Sequence, residues 1–149
     1  MLIKEFLDQE DQKAFKINSE LTVEDAINLM TENDTSALIV VEGDRPVGIV
    51  TERDVLLSYV KSNRKPYPEI KLKNAMTNKL IVAKPEDEID GSISLMIQTG
   101  IRHLPVVEDG RIIALVNICD LVHHQVGTLS AELHYLEEYL SDLNDAGRD

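Results

Sequence analysis

A shift of 66 positions aligns the chain with itself without gaps, over about residues 20–60. Apolar residues fall on apolar residues along this alignment, for example Leu38 on Leu104 and Val50 on Val116. Matched positions of this kind keep the same buried face in each copy. One copy is too small to cover its own hydrophobic surface, so two copies must pack together to bury it. We therefore expect a module built from two similar halves.

Each copy has the pattern of a strand, a helix, two further strands and a closing helix. In the first copy a helical apolar face follows Thr22, and the β-branched run 37–41 lacks polar alternation, which indicates a strand covered on both faces. The turn 42–45 has hairpin composition and leads to a return strand over 46–50. The first strand of the first copy is predicted at 16–18. In the second copy we predict a strand at 80–83, a helix at 89–96, strands at 104–107 and 112–116, and a helix from Asp120. The expected fold is α+β, α/β-like in its order of elements, with two β-α-β-β-α repeats related by a pseudo-twofold axis.

The segments outside the two copies have their own character. The lead-in carries a possible helical face made of Leu2, Ile3, Phe6 and Leu7. The polar bridge between the copies holds Pro66 and Pro68 and reads as a linker over the surface, with a short helical turn at 74–76. Thr22 and Thr77 are expected to cap the elements that follow them. The expected division is a lead-in and first repeat at 1–62, a linker at 63–75, the second repeat at 76–126, and a C-terminal amphipathic helix and tail at 127–149.

Beyond the second copy, apolar residues step by alternating four and three positions, which is the pattern of a heptad seam on one helix. The seam consists of Val122, Val126, Leu129, Leu133, Leu136, Leu140 and Leu143. Two interpretations stay open. The stripe could pack on the body of its own chain, or it could pair with a second chain.

Charge and composition exclude several classes of partner. The net charge is −12, and a surface that acidic repels nucleic-acid backbones and anionic lipid unless basic groups cluster. No apolar run is long enough to span a bilayer, and the first residues lack the pattern of a signal peptide. The single cysteine, Cys119, cannot form an internal disulfide, which favours the reducing cytoplasm.

The octet 48–55 leaves an apolar strand and enters a helix, with Thr51 at the expected N-cap position. Helix N-termini attract anions, and Gly48 allows a close approach to the backbone. Asp54 can accept bonds from two vicinal hydroxyls, while Thr51 offers a hydroxyl and Arg53 a charged fork. These groups suit a ribose that carries a phosphate. A capped strand-to-helix turn without a ligand is the alternative interpretation.

The order of these motifs resembles a tandem pair of cystathionine β-synthase (CBS) domains, also called a Bateman module. The resemblance covers about residues 14–126 and extends to the small stand-alone bacterial members of the family, which often end in a helix. It is carried by Ser-Ala-Leu-Ile-Val-Val at 36–41, Gly-Ile-Val-Thr-Glu-Arg-Asp-Val at 48–55, Asn-Ala-Met-Thr at 74–77, and Ile-Arg-His-Leu-Pro-Val-Val-Glu-Asp-Gly at 101–110.

The resemblance implies a ligand. Members of the family bind adenosine nucleotides (AMP, ADP, ATP, NAD or S-adenosylmethionine) in clefts between the two repeats, through a motif Gly-apolar-x-Thr/Ser-x-x-Asp. Gly48, Thr51 and Asp54 match that motif in full. The resemblance then implies that Asp54 holds the ribose hydroxyls and that Thr51 bonds the sugar or phosphate, with Arg53 beside them. Arg102 and His103 match the family's phosphate-contacting pair and would reach the nucleotide from the other repeat. An adenine inserted between the repeats would be flanked by apolar walls such as Val50 or Val116.

The second copy departs from the motif. Ala114 replaces the glycine and Asn117 replaces Thr/Ser, so that only Asp120 remains. Opposite it, Ser36 and Ala37 occupy the positions of Arg102 and His103, and this cleft lacks their cations. We therefore expect an asymmetric pair. The cleft of Asp54 binds the charged ligand, and the cleft of Asp120 is weaker, empty, or prefers a less charged adenosine.

Other chemistry finds little support in the sequence. His123 and His124 are adjacent, so on a helix they point about 100° apart and cannot easily share a metal ion. No nucleophile, carboxylate cluster or Gly-rich phosphate loop accompanies His103, so we expect neither a metal nor an enzyme.

The function that these expectations favour is a regulatory module that senses adenine nucleotides. Ligand binding between the repeats would pass a conformational change to a protein partner or to a second subunit. The family resemblance implies a homodimer formed through the outer helices and the C-terminal helix. The alternative is a structural or interaction protein with vestigial clefts, which docks a partner through that helix. Neither nucleic acid nor a membrane is expected as a partner.

Overall fold

The computed structural model describes residues 1–127 together with Leu140, Ser141 and Leu143. The described residues form six α-helices, one short 3-10 helix and five strands, arranged as a three-stranded sheet β1-β2-β3 and a two-stranded sheet β4-β5. The fold is thus α+β, as predicted. In chain order the elements are α1 (Ile3–Gln9), β1 (Lys16–Asn18), α2 (Val23–Glu32), β2 (Ala37–Glu42), β3 (Arg45–Thr51), α3 (Glu52–Lys61), the 3-10 helix (Tyr67–Glu69), α4 (Leu72–Ala75), α5 (Ile89–Thr99), β4 (His103–Glu108), β5 (Arg111–Asn117) and α6 (Ile118–Gly127).

The chain divides into two compact units. The first, which we call the α1 unit, consists of Met1–Asp11, Pro85–Leu104 and the described residues from Val116 onward. The second, the β1 unit, consists of Gln12–Lys84 and Pro105–Leu115. The lead-in therefore groups with residues of the second repeat, although it precedes the first repeat in the sequence.

The central strand of the β1 unit, β2, is covered on both faces. Successive side chains of a strand point to opposite sides of the sheet. Leu38 and Val40 pack in a core with residues of α2, whereas Ala37, Ile39 and Val41 pack against Ile112 and Leu115 of β5. This double coverage explains why the run 37–41 contains no polar residue, and it confirms the interpretation made from the sequence.

The internal repeat is visible in the hydrogen bonding. In the first copy Ile17 lies opposite Val40 in a parallel pair, and in the second copy Ala83 lies opposite Val106, also in parallel. Both members of the second pair stand 66 positions after those of the first. The shift read from the sequence is therefore also the structural register of the two copies.

The predicted strand at 80–83 is wrong, because only Ala83 pairs with β4, through an isolated bridge. In the first copy the Ile39 N–H donates to the Phe15 carbonyl, 2.8 Å away, and extends the ladder toward the N-terminus. The residue that corresponds to Ile39 is Pro105, which has no N–H to donate. The ladder of the second copy therefore stops after one bridge.

The bridge between the repeats is more than a surface linker, which corrects the expectation from its polar composition. Ile70 and Leu72 are buried and belong to the same core as Leu38 and Val40. The Val23 N–H donates to the Ile70 carbonyl at 2.8 Å. The short helix α4 begins at Leu72, two residues before the predicted turn.

In the α1 unit, the predicted lead-in helix forms and buries Ile3 and Phe6. The Ile3 N–H donates to the Asp87 carbonyl at 2.9 Å, which ties α1 to the segment before α5. The Phe6 ring meets the ring of His124 on α6 edge to face, with centroids 5.3 Å apart. Helix α1 thus contacts both the segment before α5 and helix α6.

Helix α6 begins at Ile118, two residues before the predicted start. The middle of the predicted heptad seam (Leu129, Leu133 and Leu136) lies outside the described residues, so the two interpretations of the seam stay open. Within the described part of the chain, no helix has both the length and the apolar character needed to cross a membrane.

Candidate functional site

Thr51 and Asp54 form a capping box at the junction of β3 and α3. The Asp54 N–H donates to Thr51 Oγ1 at 3.3 Å, which satisfies one of the unpaired donors of the first helical turn. In return, Asp54 Oδ2 accepts from the Thr51 N–H at 3.0 Å and from the Thr51 hydroxyl at 3.2 Å. The predicted N-cap is confirmed, and the two side chains are fixed relative to each other.

The second oxygen of the Asp54 carboxylate is used differently. Asp54 Oδ1 accepts from the hydroxyl of Thr77, at 3.2 Å, across 23 residues of sequence. Thr77 was expected to act only as a cap, and its hydroxyl contact with the site was not foreseen. A carboxylate offers about four lone-pair positions, and these hydrogen bonds occupy three of them.

Gly48 is approached closely by the chain itself. Met76 and Thr77, which we call the 76–77 strap, pair with β3 through two backbone bonds: Ile49 N–H to Thr77 carbonyl at 3.0 Å, and Thr77 N–H to Ile49 carbonyl at 2.8 Å. A Cβ atom built on Gly48 would lie 2.7 Å from the Thr77 carbonyl oxygen. The close approach predicted at Gly48 is therefore present, but the strap makes it and no ligand is needed to explain the glycine.

The remaining predicted residues of the first motif differ in exposure. Arg53 is exposed in the first turn of α3, and Thr51 and Asp54 are half-buried. Val50 is fully buried in the core of the β1 unit, and Val116 is fully buried as well. Both valines lie behind the protein surface in this structure and present no side-chain area to solvent.

In the second motif an asparagine stands at the position of Thr51. β5 ends at Asn117, whose side-chain oxygen accepts from the Cys119 N–H at 2.7 Å. An asparagine can satisfy a free donor of the helix start in this way. Ala114 is buried where the first repeat has Gly48, and Asp120 is exposed on the first turn of α6.

The residue pairs Ser36–Ala37 and Arg102–His103, at which β2 and β4 begin, lie next to the helix start of their own repeat. The Glu52 N–H donates to the Ser36 carbonyl at 3.1 Å, and the Ile118 N–H donates to the Arg102 carbonyl at 2.9 Å. Ala37 is buried and His103 is half-buried. These two bonds obey the 66-residue shift. Asp54 belongs to the β1 unit, whereas Arg102 and His103 belong to the α1 unit, so the predicted cooperation of these residues stays a prediction.

No group of three or more His, Cys, Asp or Glu side chains among the described residues is arranged to hold a metal ion. His123 is exposed, and the ring of His124 packs on Phe6.

Comparison with known proteins places the chain in a family. The sequence profile named "CBS domain" matches residues 10–61 and 72–127. A CBS domain-containing protein, CBSX3 of Arabidopsis thaliana mitochondria, is 37% identical over 124 residues, which cover 80% of this chain and 60% of that protein. The chain therefore spans less than two thirds of the length of that relative.

Solved structures agree with the profile. A protein with CBS domains from Burkholderia ambifaria MC40-6 superposes with a TM-score of 0.80 at 32% identity, over 85% of this chain and 95% of that one. The CBS domain pair of protein MJ0100, solved in complex with 5′-methylthioadenosine and S-adenosyl-L-methionine, superposes with a TM-score of 0.73 at 22% identity, over 86% and 98%. At that lower identity the likeness concerns the fold alone. Two profile matches, two repeats in one hydrogen-bond register and the superposed CBS structures lead to one conclusion: the chain belongs to the CBS-domain family and carries two CBS domains.

Proposed function

We propose that this chain is a regulatory module without enzymatic activity, which binds an adenosine nucleotide at the β3–α3 junction. The observation that carries the proposal is the fixed pair Thr51 and Asp54, which completes the motif begun by Gly48 and presents a carboxylate half-open to solvent. Both compounds bound to the MJ0100 pair contain an adenosine group, which supports this class of ligand. AMP, ADP, ATP and NAD(H) are the candidate ligands.

The electrostatics of the junction favour a phosphate on that ligand. The N-terminal end of α3 carries the positive end of the helix dipole, and Arg53 stands exposed in its first turn. With a net charge of −12 the chain as a whole repels anions, so phosphate binding depends on local cations. We propose Arg102 and His103 as further phosphate contacts, as in the family motif. The junction of Asn117 and Asp120, with Ser36 and Ala37 as its predicted counterparts, is proposed as the weaker site.

Oligomerisation and signalling belong to the same proposal. The outer surface of α3 carries Leu56 and Val60 at 67% and 69% exposure, and Ile97 of α5 is 67% exposed. Apolar side chains this exposed on helices favour a homodimer formed through these helices. A ligand with different affinities for two arrangements of the repeats would shift the population between them, and the dimer or a bound protein partner would read the change. The single cysteine fits a cytoplasmic location.

A panel of adenosine compounds in a thermal-shift assay tests the ligand. A compound that binds only the folded state stabilises that state by mass action and so raises Tm. At a ligand concentration of one hundred times Kd, the free energy of unfolding rises by about 2.7 kcal/mol. At least one of AMP, ADP, ATP, NADH and S-adenosylmethionine should raise the Tm of the wild type, and the rise should shrink in Asp54→Ala. If no compound shifts Tm, or if the variant responds like the wild type, the proposal is wrong.

One set of observations favours a second function, that of an interaction protein with vestigial clefts. The second repeat has lost the motif glycine and threonine, which are replaced by Ala114 and Asn117. In the first repeat three of the lone-pair positions of Asp54 are already used within the chain. Deletion of residues 129–149 separates the two functions when sedimentation and nucleotide affinity are both measured. If the chain is an interaction protein, the deletion should abolish the dimer or partner binding, and neither the full chain nor the deleted chain should bind a nucleotide. If the chain is a nucleotide sensor, the deleted chain should keep the nucleotide affinity of the full chain.

A further inference from the structure

The hydroxyl of Thr77 donates to Asp54 Oδ1, the carboxylate oxygen that takes no part in the capping box. Oδ2 accepts both the N–H and the hydroxyl of Thr51, and Oδ1 accepts the hydroxyl of Thr77 at 3.2 Å. Thr77 reaches this position because its backbone is paired with Ile49, which keeps the 76–77 strap beside Gly48. The contact is therefore set by the fold of the β1 unit and does not require a ligand.

Counting acceptors shows a conflict with a ribose. A vicinal diol donates two hydrogen bonds, and a carboxylate offers about four lone-pair positions. Three positions of Asp54 are taken, and the remaining one is on Oδ1. One hydroxyl of a diol can be accepted without any change, but the second needs a position that a donor of the chain now holds.

The donor that gives way is Thr77. The two bonds of Thr51 belong to a local capping box that fixes the start of α3, and breaking them would expose unpaired groups of the helix end. The Thr77 hydroxyl is exposed, contributes a single bond, and can rotate to water while its backbone stays paired with Ile49. Its loss is therefore the easiest change that frees a second acceptor.

From this geometry we infer that Thr77 is an intramolecular competitor for the ribose site, which lowers the affinity of the chain for ligands with a vicinal diol. The inference rests on the proposed function and specifies how the affinity of that same site is set. It predicts that removing the hydroxyl strengthens binding, whereas a residue that contacts the ligand would weaken binding when it is removed.

The test is calorimetry of Thr77→Val with AMP and with 2′-deoxyadenosine monophosphate. Valine keeps the branched shape that suits the paired backbone and removes only the hydroxyl. The affinity for AMP should rise about three- to tenfold, which corresponds to the net worth of one typical hydrogen bond. The affinity for the deoxy compound should stay within about twofold, because its single ribose hydroxyl finds the acceptor that is already open. Thr77→Ser, which keeps the hydroxyl, should bind AMP like the wild type.

Three results overturn the inference, and they are distinguishable. If Thr77→Val binds AMP as the wild type does, or more weakly, while Asp54→Ala loses binding, Thr77 is no competitor and the proposed function stands. If Thr77→Val gains equally for AMP and the deoxy compound, the gain comes from the added methyl group and not from a released acceptor. If neither the wild type nor Thr77→Val binds either compound, the inference fails, and the proposed function fails with it only when no other compound of the thermal-shift panel binds.

Discussion

Replacement of Gly48 by alanine measures how firmly the 76–77 strap is held. A Cβ at this position would lie 2.7 Å from the carbonyl oxygen of Thr77 and 3.0 Å from Sδ of Met76. The methionine side chain can move aside, but the carbonyl belongs to the backbone pair with Ile49, so the strap itself must shift. The variant thus strains two hydrogen bonds and the packing around them.

The cost of Gly48→Ala can be bounded. Overpacking of a buried position costs about 1–3 kcal/mol, and alanine in a strand recovers about 0.5–1 kcal/mol relative to glycine. With the middle of each range the free energy of unfolding should fall by about 1.2 kcal/mol, or roughly 2–5 °C in Tm for a chain of this size. Equilibrium unfolding in urea measures the change, with the midpoint expected to move at an unchanged m-value.

Gly91 supplies the matched control for this prediction. It lies in α5 and is exposed, and a Cβ there would meet no atom within 4 Å. Gly91→Ala should raise stability by about 0.5–1 kcal/mol, because alanine is the better helix residue. If Gly48→Ala is as stable as the wild type, or gains like Gly91→Ala, the strap does not pack on Gly48 as described.

The other predictions concern the caps and the α1 unit. Asp25→Ala and Asp54→Ala each remove the N3 aspartate of a threonine capping box, so each should cost about 1 kcal/mol in urea unfolding. Asp54→Ala also loses the exposed bond from Thr77 and should cost slightly more, but a difference above about 1 kcal/mol between the two variants would contradict this prediction. Phe6→Ala removes a fully buried ring that packs on His124 and should cost about 3–5 kcal/mol. In Phe6→Ala the rate of amide hydrogen exchange should increase most in α1, α5 and α6. An equal increase throughout the β1 unit would contradict this prediction.

The sequence predicted those features that recur in both copies or obey local rules. The 66-residue shift gave the repeat, and the uninterrupted run 37–41 gave a strand covered on both faces. Thr51 was predicted as an N-cap from residue type and position, and the capping box confirms it. These features depend on residues close in sequence or on a pattern that occurs twice.

The features that the sequence did not predict depend on contacts between distant segments. Pro105 shortens the pairing at 80–83 because it lacks the N–H that Ile39 supplies in the first copy. The burial of Ile70 and Leu72 could not be read from a bridge that is polar on average. The bond between Thr77 and Asp54 spans 23 residues, and no periodicity signals it. Gly48 indicated that some group approaches the backbone closely, but a glycine alone does not identify that group.

Calorimetry of Asp54→Ala beside Asp25→Ala tests most directly whether the β3–α3 junction is a ligand site. The two aspartates occupy the same position in two similar capping boxes, so the variants should lose similar stability. Only Asp54 lies in the proposed site. Titration with AMP and ATP should give wild-type affinity, within about twofold, for Asp25→Ala, and at least about tenfold weaker binding for Asp54→Ala. Equal affinities in all three proteins, or an equal loss in both variants, would contradict the account.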